Sequence, residues 1–583
     1  MNRRQYVSGA SDIPRFDRQF FDGRETFTRI GSGGLGGKAS GLAFMHKVLA
    51  SHFEAGMFRN VAVNIPNLTV LTTDVFDAFI EQNRLEDIAL SDEPDERIAA
   101  AFQNGAIPAA VVGDLRALVA KIHQPVAVRS SSLLEDAMFE PFAGIYATKM
   151  IPNNQADADT RFKKLTEAIK FVYASTYLSA ARSYAAMTSR TISEEKMAVI
   201  IQEVVGQRSQ DRFYPAVSGV ARSYNFYPVG RAEPEDGIVS LALGLGKTIV
   251  DGGKCWSYSP VYPSVDPPFT IADQLEQTQT DFWAVNMGKP PAFDPLRETE
   301  YLVRCRLADA EMDDTLRHVA STYVAQDDRI VMGTAADGPR IINFRPILQL
   351  GEIPVNDLVR ELLEQSEKAV GTKVEIEFAL TVDSRSDTPV RFGFLQVRPM
   401  VVSHEVVDVA ETELSADGVL IASSRVMGNG CFETIHDVVY VRPERFSARR
   451  TPLIARELEK LNRRLVAEGR PYLLIGFGRW GSTDPWLGTP VNWAQISGAK
   501  VIVEATLPEM NVELSQGSHF FHNITSFRIC YFSVRHDGEH SIDWSWLNGR
   551  PTFTETDNVR HVRLSSPLKV RVDGRHGRGV VFS

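Results

Sequence analysis

Between Val374 and Met400 the chain reads VEIEFALTVDSRSDTPVRFGFLQVRPM, two runs of strand-forming residues on either side of a short polar stretch. Alternate residues of an extended strand share a face, so Glu375 and Glu377 project together, and Gln396 and Arg398 do the same. The intervening Asp383 to Thr388, rich in Asp and Ser, predicts a turn that folds the two runs into a hairpin. Two acids and an arginine then meet. Such a set suits a magnesium-bound polyphosphate, because carboxylates hold the cation while a guanidinium takes phosphate oxygens in a fork. From spacing alone, a hairpin with a solvated, salt-bridged face fits equally well.

A chain of 583 residues is expected to divide into several folding units, at roughly 150 residues each. Hydrophobic residues make up 44% and charged residues 23%, and no run approaches the roughly 18 apolar residues that cross a bilayer. The opening MNRRQYVSGASDIPRF has basic residues without an apolar core behind them, so a secretory signal is not expected and a cytoplasmic protein is. Cys255, Cys305, Cys431 and Cys530 are widely separated, which argues against zinc sites and a disulfide framework. A net charge of −10 and a pI near 5.7 disfavour a broad nucleic-acid surface. An anionic nucleotide would need a focused positive pocket.

The element pattern is mixed α/β. Glycines at residues 31 to 37 end where Leu42, Met45, Val48 and Leu49 take up helical spacing. Residues 60 to 80 read as strand, proline turn, strand and helix, and further helices are expected over Asp114 to Ile122 and throughout Asp159 to Met187. VAVR (126 to 129) reads as a buried strand ending at Arg129, with serines and the acids Glu135 and Asp136 in the loop beyond. Strands are expected at 197 to 205, 216 to 228 and 237 to 253, and an amphipathic helix at Ile353 to Val370 leads into the hairpin. Past a boundary near residue 401, a strand near Val438 to Val441, a helix Pro452 to Glu468 and a strand YLLIG (472 to 476) lead into GRWGSTDPWLG.

Gly33, Gly34, Gly36 and Gly37 before Lys38 give the backbone freedom to wrap a phosphate at a helix start. The Walker A pattern fails there, because Ser32 stands in place of its first glycine and Ala39 lacks the hydroxyl for magnesium. GLGKT at 244 to 248 fails similarly at Leu241. Each glycine turn taken alone also fits a tight connection. Arg129 suits a polyphosphate or an anchor for the adjacent acids.

Taken in order, GGKASGL (36 to 42), IPNLTVLTT (65 to 73), VAVRSSSLLEDAMFEPFAGIY (126 to 146), AIKFVYASTY (168 to 177), VSGVA (217 to 221), GLGKTIVDG (244 to 252) and FLQVRP (394 to 399) resemble segments of the phosphoenolpyruvate synthase and pyruvate phosphate dikinase family. The resemblance implies an ATP-grasp fold over residues 30 to 400, with sublobes of roughly 30 to 195 and 196 to 400. An N-terminal extension (1 to 29) would precede it and a smaller mixed α/β domain (401 to 583) would follow. It further implies ATP and Mg2+ as cofactors, with Lys38 and Arg129 on the triphosphate, Glu375 and Glu377 on magnesium, and Gln396 and Arg398 at the phosphate end. Gln202 and Glu203 stand where the family has its adenine-side hinge.

Two departures from the family lie within this region: Lys247 replaces the acid of its GLGE segment, and Glu375 stands where an Asp is more usual. A third lies beyond it. The family passes phosphate from ATP through a histidine to a barrel domain, and the 183 residues after 400 (583 minus 400) are too few for both parts. QGSHFFHNITSF (516 to 527) is an imperfect echo of the histidine motif, making His519 the candidate phosphoacceptor beside a structural reading, with a His519 and His522 metal site as an alternative. Arg479, Asp484 and Trp486 fit a ligand pocket or a tightly turned β structure.

The function expected is therefore an ATP- and magnesium-dependent phosphotransferase of kinase or dikinase type, acting on a histidine or on a small-molecule or protein acceptor. Neither nucleic acid nor membrane is an expected partner, and complete phosphoenolpyruvate synthesis by this chain alone is not expected. The alternative is a non-catalytic ATP sensor that uses the same domain as a switch. A carboxylate-amine ligase shares the fold but not this motif series.

Overall fold

Apolar residues without polar alternation, as in Val126 to Val128, mark a strand covered on both faces. In the computed structural model of the chain this strand sits inside a five-stranded sheet. The structure describes residues 13–23, 25–53, 57–58, 60–132, 135, 144–185, 192–226, 228, 230–265, 270–351, 353–382, 390–400, 402, 407–482, 484–512, 529–574 and 576–583. The first sheet runs β1 (Phe27–Ile30), β3 (Leu68–Leu71), β6 (Met197–Glu203), β4 (Val126–Ser132) and β5 (Thr148–Ile151). Phe79, Phe102, Leu115, Leu165, Ile169 and Tyr173, from the helices beside this sheet, pack with Val128 and Val199 in one apolar core. β4 continues through Ser132, so Arg129 lies within the strand rather than at its end. The helix expected over 159 to 187 is broken: Ala158–Ser175 stops, and Ser179–Ala185 starts anew. Asp95 holds the start of the second helix by accepting hydrogen bonds from the Ser179 backbone N–H (2.8 Å) and hydroxyl (2.7 Å).

The second sheet runs β11 (Trp256–Tyr258), β10 (Ile238–Ala242), β9 (Val217–Arg222), β17 (Val374–Val382), β18 (Val390–Pro399) and β2 (Val61–Asn64). β17 and β18 form the antiparallel hairpin expected from the alternation, with Glu375 opposite Arg398 and Glu377 opposite Gln396. The residues of its turn, 383 to 388, lie outside those described. Two smaller sheets complete this half, one of β7 (Gln207–Ser209), β8 (Arg212–Tyr214), β12 (Asp281–Asn286) and β13 (Leu302–Arg306), the other of β14 (Ala320–Val324), β15 (Arg329–Met332) and β16 (Arg340–Ile342). The helix Val355–Val370 packs on β17 through Leu358, Val359 and Leu362.

Two strands cross the expected sublobe division at 195, β6 at 197–203 joining the first sheet and β2 at 61–64 the second. The segment expected as strand over 237 to 253 also ends early, because Gly244 (φ +82°) turns the chain into the short helix Lys247–Val250. Between the two main sheets lies α1 (Gly36–His52), which packs on β4 and on β18 through a face carrying Ala39, Leu42 and Met45.

Among the described residues after 417, a nine-stranded sheet contains four neighbouring parallel strands, Asn429–Val441, Tyr472–Phe477, Ala499–Ala505 and Cys530–Val534. The first two are joined by the helix Thr451–Ala467, whose Pro452 occupies the first turn, where no amide hydrogen is needed. No single helix among the described residues is long and apolar enough to cross a membrane.

Candidate functional site

Arg129 is the point at which the two main sheets meet chemically. Its Nη1 donates to Gln202 Oε1 on β6 (3.1 Å) and to the Leu395 carbonyl on β18 (2.9 Å), while Nη2 donates to Gln396 Oε1 (2.6 Å). Nη2 also lies 3.8 Å from Glu377 Oε2. One planar guanidinium thus joins strands that are 266 residues apart in sequence. Gln202, expected on the adenine side, accepts one of the hydrogen bonds from this arginine. Glu203 points away from it along the strand, and burial leads the influences that raise its carboxyl above the ordinary range, partly offset by an Asn67 hydrogen bond and by Arg391.

The hairpin supplies the acids. Arg398 Nη2 donates to Glu377 Oε1 at 2.6 Å, and its Nε lies 3.4 Å from Glu375 Oε1. Glu375 Oε2 receives a second arginine, Arg222 Nε of β9, at 2.6 Å. The cluster therefore holds three arginines, two glutamates and two glutamines. Arg222 escapes a reading of the sequence because its only signal is a strand register, Glu375 opposite Arg222, between segments about 150 residues apart.

The two glutamates differ in accessibility, which tests how they would hold a cation. The Glu377 side chain is 17% exposed and directs Oε2 toward Arg129, a setting that fits a divalent cation beside a phosphate. Glu375 is only 2% exposed and lies between Arg222 and Arg398. Its geometry fits the orientation of the arginines better than direct contact with a cation.

Lys38 stands apart from the arginine cluster on α1. Its Nζ bonds Glu135 Oε1 at 2.6 Å and Ser130 Oγ at 3.3 Å, so Glu135 serves the lysine rather than Arg129. Ser131 Oγ ties the helix start to β4, accepting from the Ala39 N–H (3.0 Å) and donating to the Leu35 carbonyl (2.8 Å). Gly36 permits this approach: it has φ +74°, and a Cβ there would stand 1.7 Å from the Ser131 carbonyl oxygen.

The glycine loop departs from the expected phosphate cradle. The backbone N–H groups of Ser32 and Gly33 both donate to the Asp74 carboxylate at 2.9 Å, and that of Gly34 donates to Thr73 Oγ1 at 2.9 Å. These donors are engaged by the next helix. Burial opposes ionisation of Asp74, but hydrogen bonds from Thr72, Ser32 and Gly33 outweigh it and bring the pKa down to about 2.

In the segment expected as a pocket or a tight turn, Trp480 is buried and donates from Nε1 to the Val503 carbonyl at 3.1 Å, whereas Trp486 is exposed. Arg479 is buried and reaches out of its own sheet to the Gly252 carbonyl at 2.6 Å. His519 and His522 lie outside the described residues.

A sequence profile of the family described as "Pyruvate phosphate dikinase, AMP/ATP-binding domain" matches residues 33–417, more than half the chain. The chain is similar to a phosphoenolpyruvate synthase of Aeropyrum pernix, 24% identical over 401 residues, covering 65% of this chain and 42% of that protein. It is also similar to an uncharacterized phosphotransferase, YvkC, of Bacillus subtilis, 26% identical over 191 residues, covering 32% of this chain and 20% of that protein. The chain thus spans less than half the length of either relative. Its matched region contains Lys38, the Arg129 junction and the acidic hairpin together, and the chain belongs to the pyruvate phosphate dikinase AMP/ATP-binding domain family.

Proposed function

We propose that residues 30 to 400 form an ATP-grasp unit that binds ATP with Mg2+ between the two main sheets, and that the chain transfers phosphate from ATP to a histidine or to a separate acceptor. The observation that carries this reading is the Arg129 junction, where cationic side chains and a partly exposed glutamate converge from both sheets. Lys38, Arg129 and Arg398 would face the polyphosphate, and Gln396 would hold Arg129 in register. Glu377 would hold the cation, with Glu375 fixing Arg398 and Arg222 behind it. Bound magnesium would offset charge that develops on the transferred phosphoryl group, a task the fixed cations share. Residues 401 to 583 are proposed as a second unit that presents the acceptor.

The test is incubation of the full chain with magnesium and ATP labelled at the β or γ phosphate. Wild type is expected to bind ATP, Lys38→Ala and Arg129→Ala are expected to lose it, and protein-bound label is expected to vanish in His519→Ala. Normal ATP binding by both cation variants would sink the site assignment. Label that persists in His519→Ala would redirect the acceptor to another residue.

The reach of Arg479 to the Gly252 carbonyl, just after the GLGKT turn, supports a second reading in which ATP acts as a switch read by the C-terminal region. Tight ATP binding without AMP, ADP or phosphate release across a panel of acceptors is the result expected from that sensor.

A further inference from the structure

The turn from Gly244 to Gly253 is held from several directions. Ser218 Oγ donates to the Gly244 carbonyl at 2.6 Å, the Leu245 N–H donates to the Trp283 carbonyl at 2.9 Å, and Arg479 holds the Gly252 carbonyl. Lys247 rises from this fixed turn, only 20% exposed, with Nζ 3.1 Å from Asp251 Oδ2. Asp251 is not its only anionic neighbour. Glu298, 51 residues further along the chain (298 minus 247), also lies within electrostatic range.

The location of Glu298 shows where Lys247 points. Its carboxylate accepts a hydrogen bond from the Thr148 backbone and lies within electrostatic range of Lys38 as well as Lys247. Thr148 is the direct partner of Arg129 in the pairing of β5 with β4. The segment carrying Glu298 is pinned to the first sheet on both sides: Lys149 Nζ donates to the Asp294 carbonyl at 3.1 Å and forms a buried ion pair with Glu300. Leu245, two residues before Lys247, shares an apolar cluster with Met150 of β5, so Lys247, from the second half, lies within electrostatic range of Glu298, which is hydrogen-bonded to the first half beside the strand that carries Arg129.

We propose that Lys247 is a further phosphate-binding cation of the nucleotide cleft, and that Asp251, its ion-pair partner, together with the nearby Glu298 balances its charge until a phosphate arrives. Burial works against the charged ammonium, but Glu298 and Asp251 outweigh it and hold the Lys247 pKa above the ordinary lysine value. Glu298 retains access to water, while the protein packed around it raises its pKa against the pull of Lys247. The two properties agree for a carboxyl lining a cleft, where a path to solvent remains but little bulk water surrounds the group. An incoming triphosphate presents denser negative charge and more acceptor oxygens than one carboxylate, and so outcompetes both carboxylates for Lys247.

This inference rests on ATP binding at the cleft, and titrations of the full chain with ATP and with adenosine separate the two. Wild type should bind both. Lys247→Ala should weaken ATP by about ten-fold or more, the loss of one charge-assisted contact, and leave adenosine unchanged. Lys247→Arg should stay within a few-fold of wild type for ATP, which guards against a fold defect in the alanine variant. Glu298→Gln, which removes one competing anion, should tighten ATP by a few-fold without affecting adenosine. Equal ATP affinity in wild type and Lys247→Ala, or a parallel loss of ATP and adenosine, would overturn the proposal alone. Absence of ATP binding by wild type would overturn the nucleotide reading and this proposal with it.

Discussion

Arg398 is 2% exposed and faces two carboxylates, so its charge cannot be removed without leaving others stranded. Breaking a buried pair from one side costs about 3–5 kcal/mol, because the surviving charge stays in a poorly solvated place. Arg398→Ala is expected to lose stability of this order in urea unfolding, and to lose ATP binding. Arg398→Met combined with Glu377→Gln, which removes charge from both sides, should recover a good part of the stability but none of the binding. If the double variant is no more stable than the single one, electrostatics does not govern this cluster. The pairing of Arg398 with the glutamates was readable from sequence because the two strands of a hairpin are local and alternation fixes which side chains share a face. The pairing of Lys38 with Glu135 was not, since nothing in a one-dimensional pattern decides whether Glu135 turns to the lysine or to the nearer Arg129.

The glycine loop and the helix Thr73–Asn83 show how an element takes its shape from another one. Gly33 and its neighbours gave the loop freedom to wrap an anion, and the anion they wrap here is Asp74, about 40 residues later. The sequence displayed the permissive residues and concealed the partner. A pH dependence follows from the sign of the shift. Asp74 has its pKa depressed from 3.8 to about 2, so its contribution to stability is present above about pH 4 and fades as pH falls toward 2. Asp74→Asn should accordingly be less stable than wild type near pH 7 by thermal unfolding, and the gap should narrow steadily below pH 4. A gap that stays constant from pH 7 to pH 2 would mean that the charge of Asp74 is irrelevant to the loop. The exchange of β2 and β6 between sheets was hidden for a related reason: each has the composition of a strand, and composition does not name the sheet that will receive it.

Across the whole molecule, the C-terminal region touches both parts of the nucleotide unit. The turn Trp493–Gln495 packs on the helix Ser179–Ala185 of the first half, and Arg479 holds the Gly252 carbonyl of the second. Gly252 lies five residues after Lys247 and next to Asp251, so a displacement of this turn by nucleotide has a direct mechanical route to the strand end Phe477 to Arg479. The route is short, a single buried arginine side chain that grips a backbone carbonyl rather than another side chain. Arg479→Ala should leave the first sheet intact while raising amide hydrogen exchange across residues 244 to 253, because a fixed turn loses one of its anchors. In wild type, ATP should slow exchange both in that turn and around residues 477 to 481, and in the variant the second effect should disappear while the first persists. Loss of both effects would make Arg479 part of the binding site itself. Protection of 477 to 481 by ATP in the variant would show that coupling runs through the contact at Trp493–Gln495 instead.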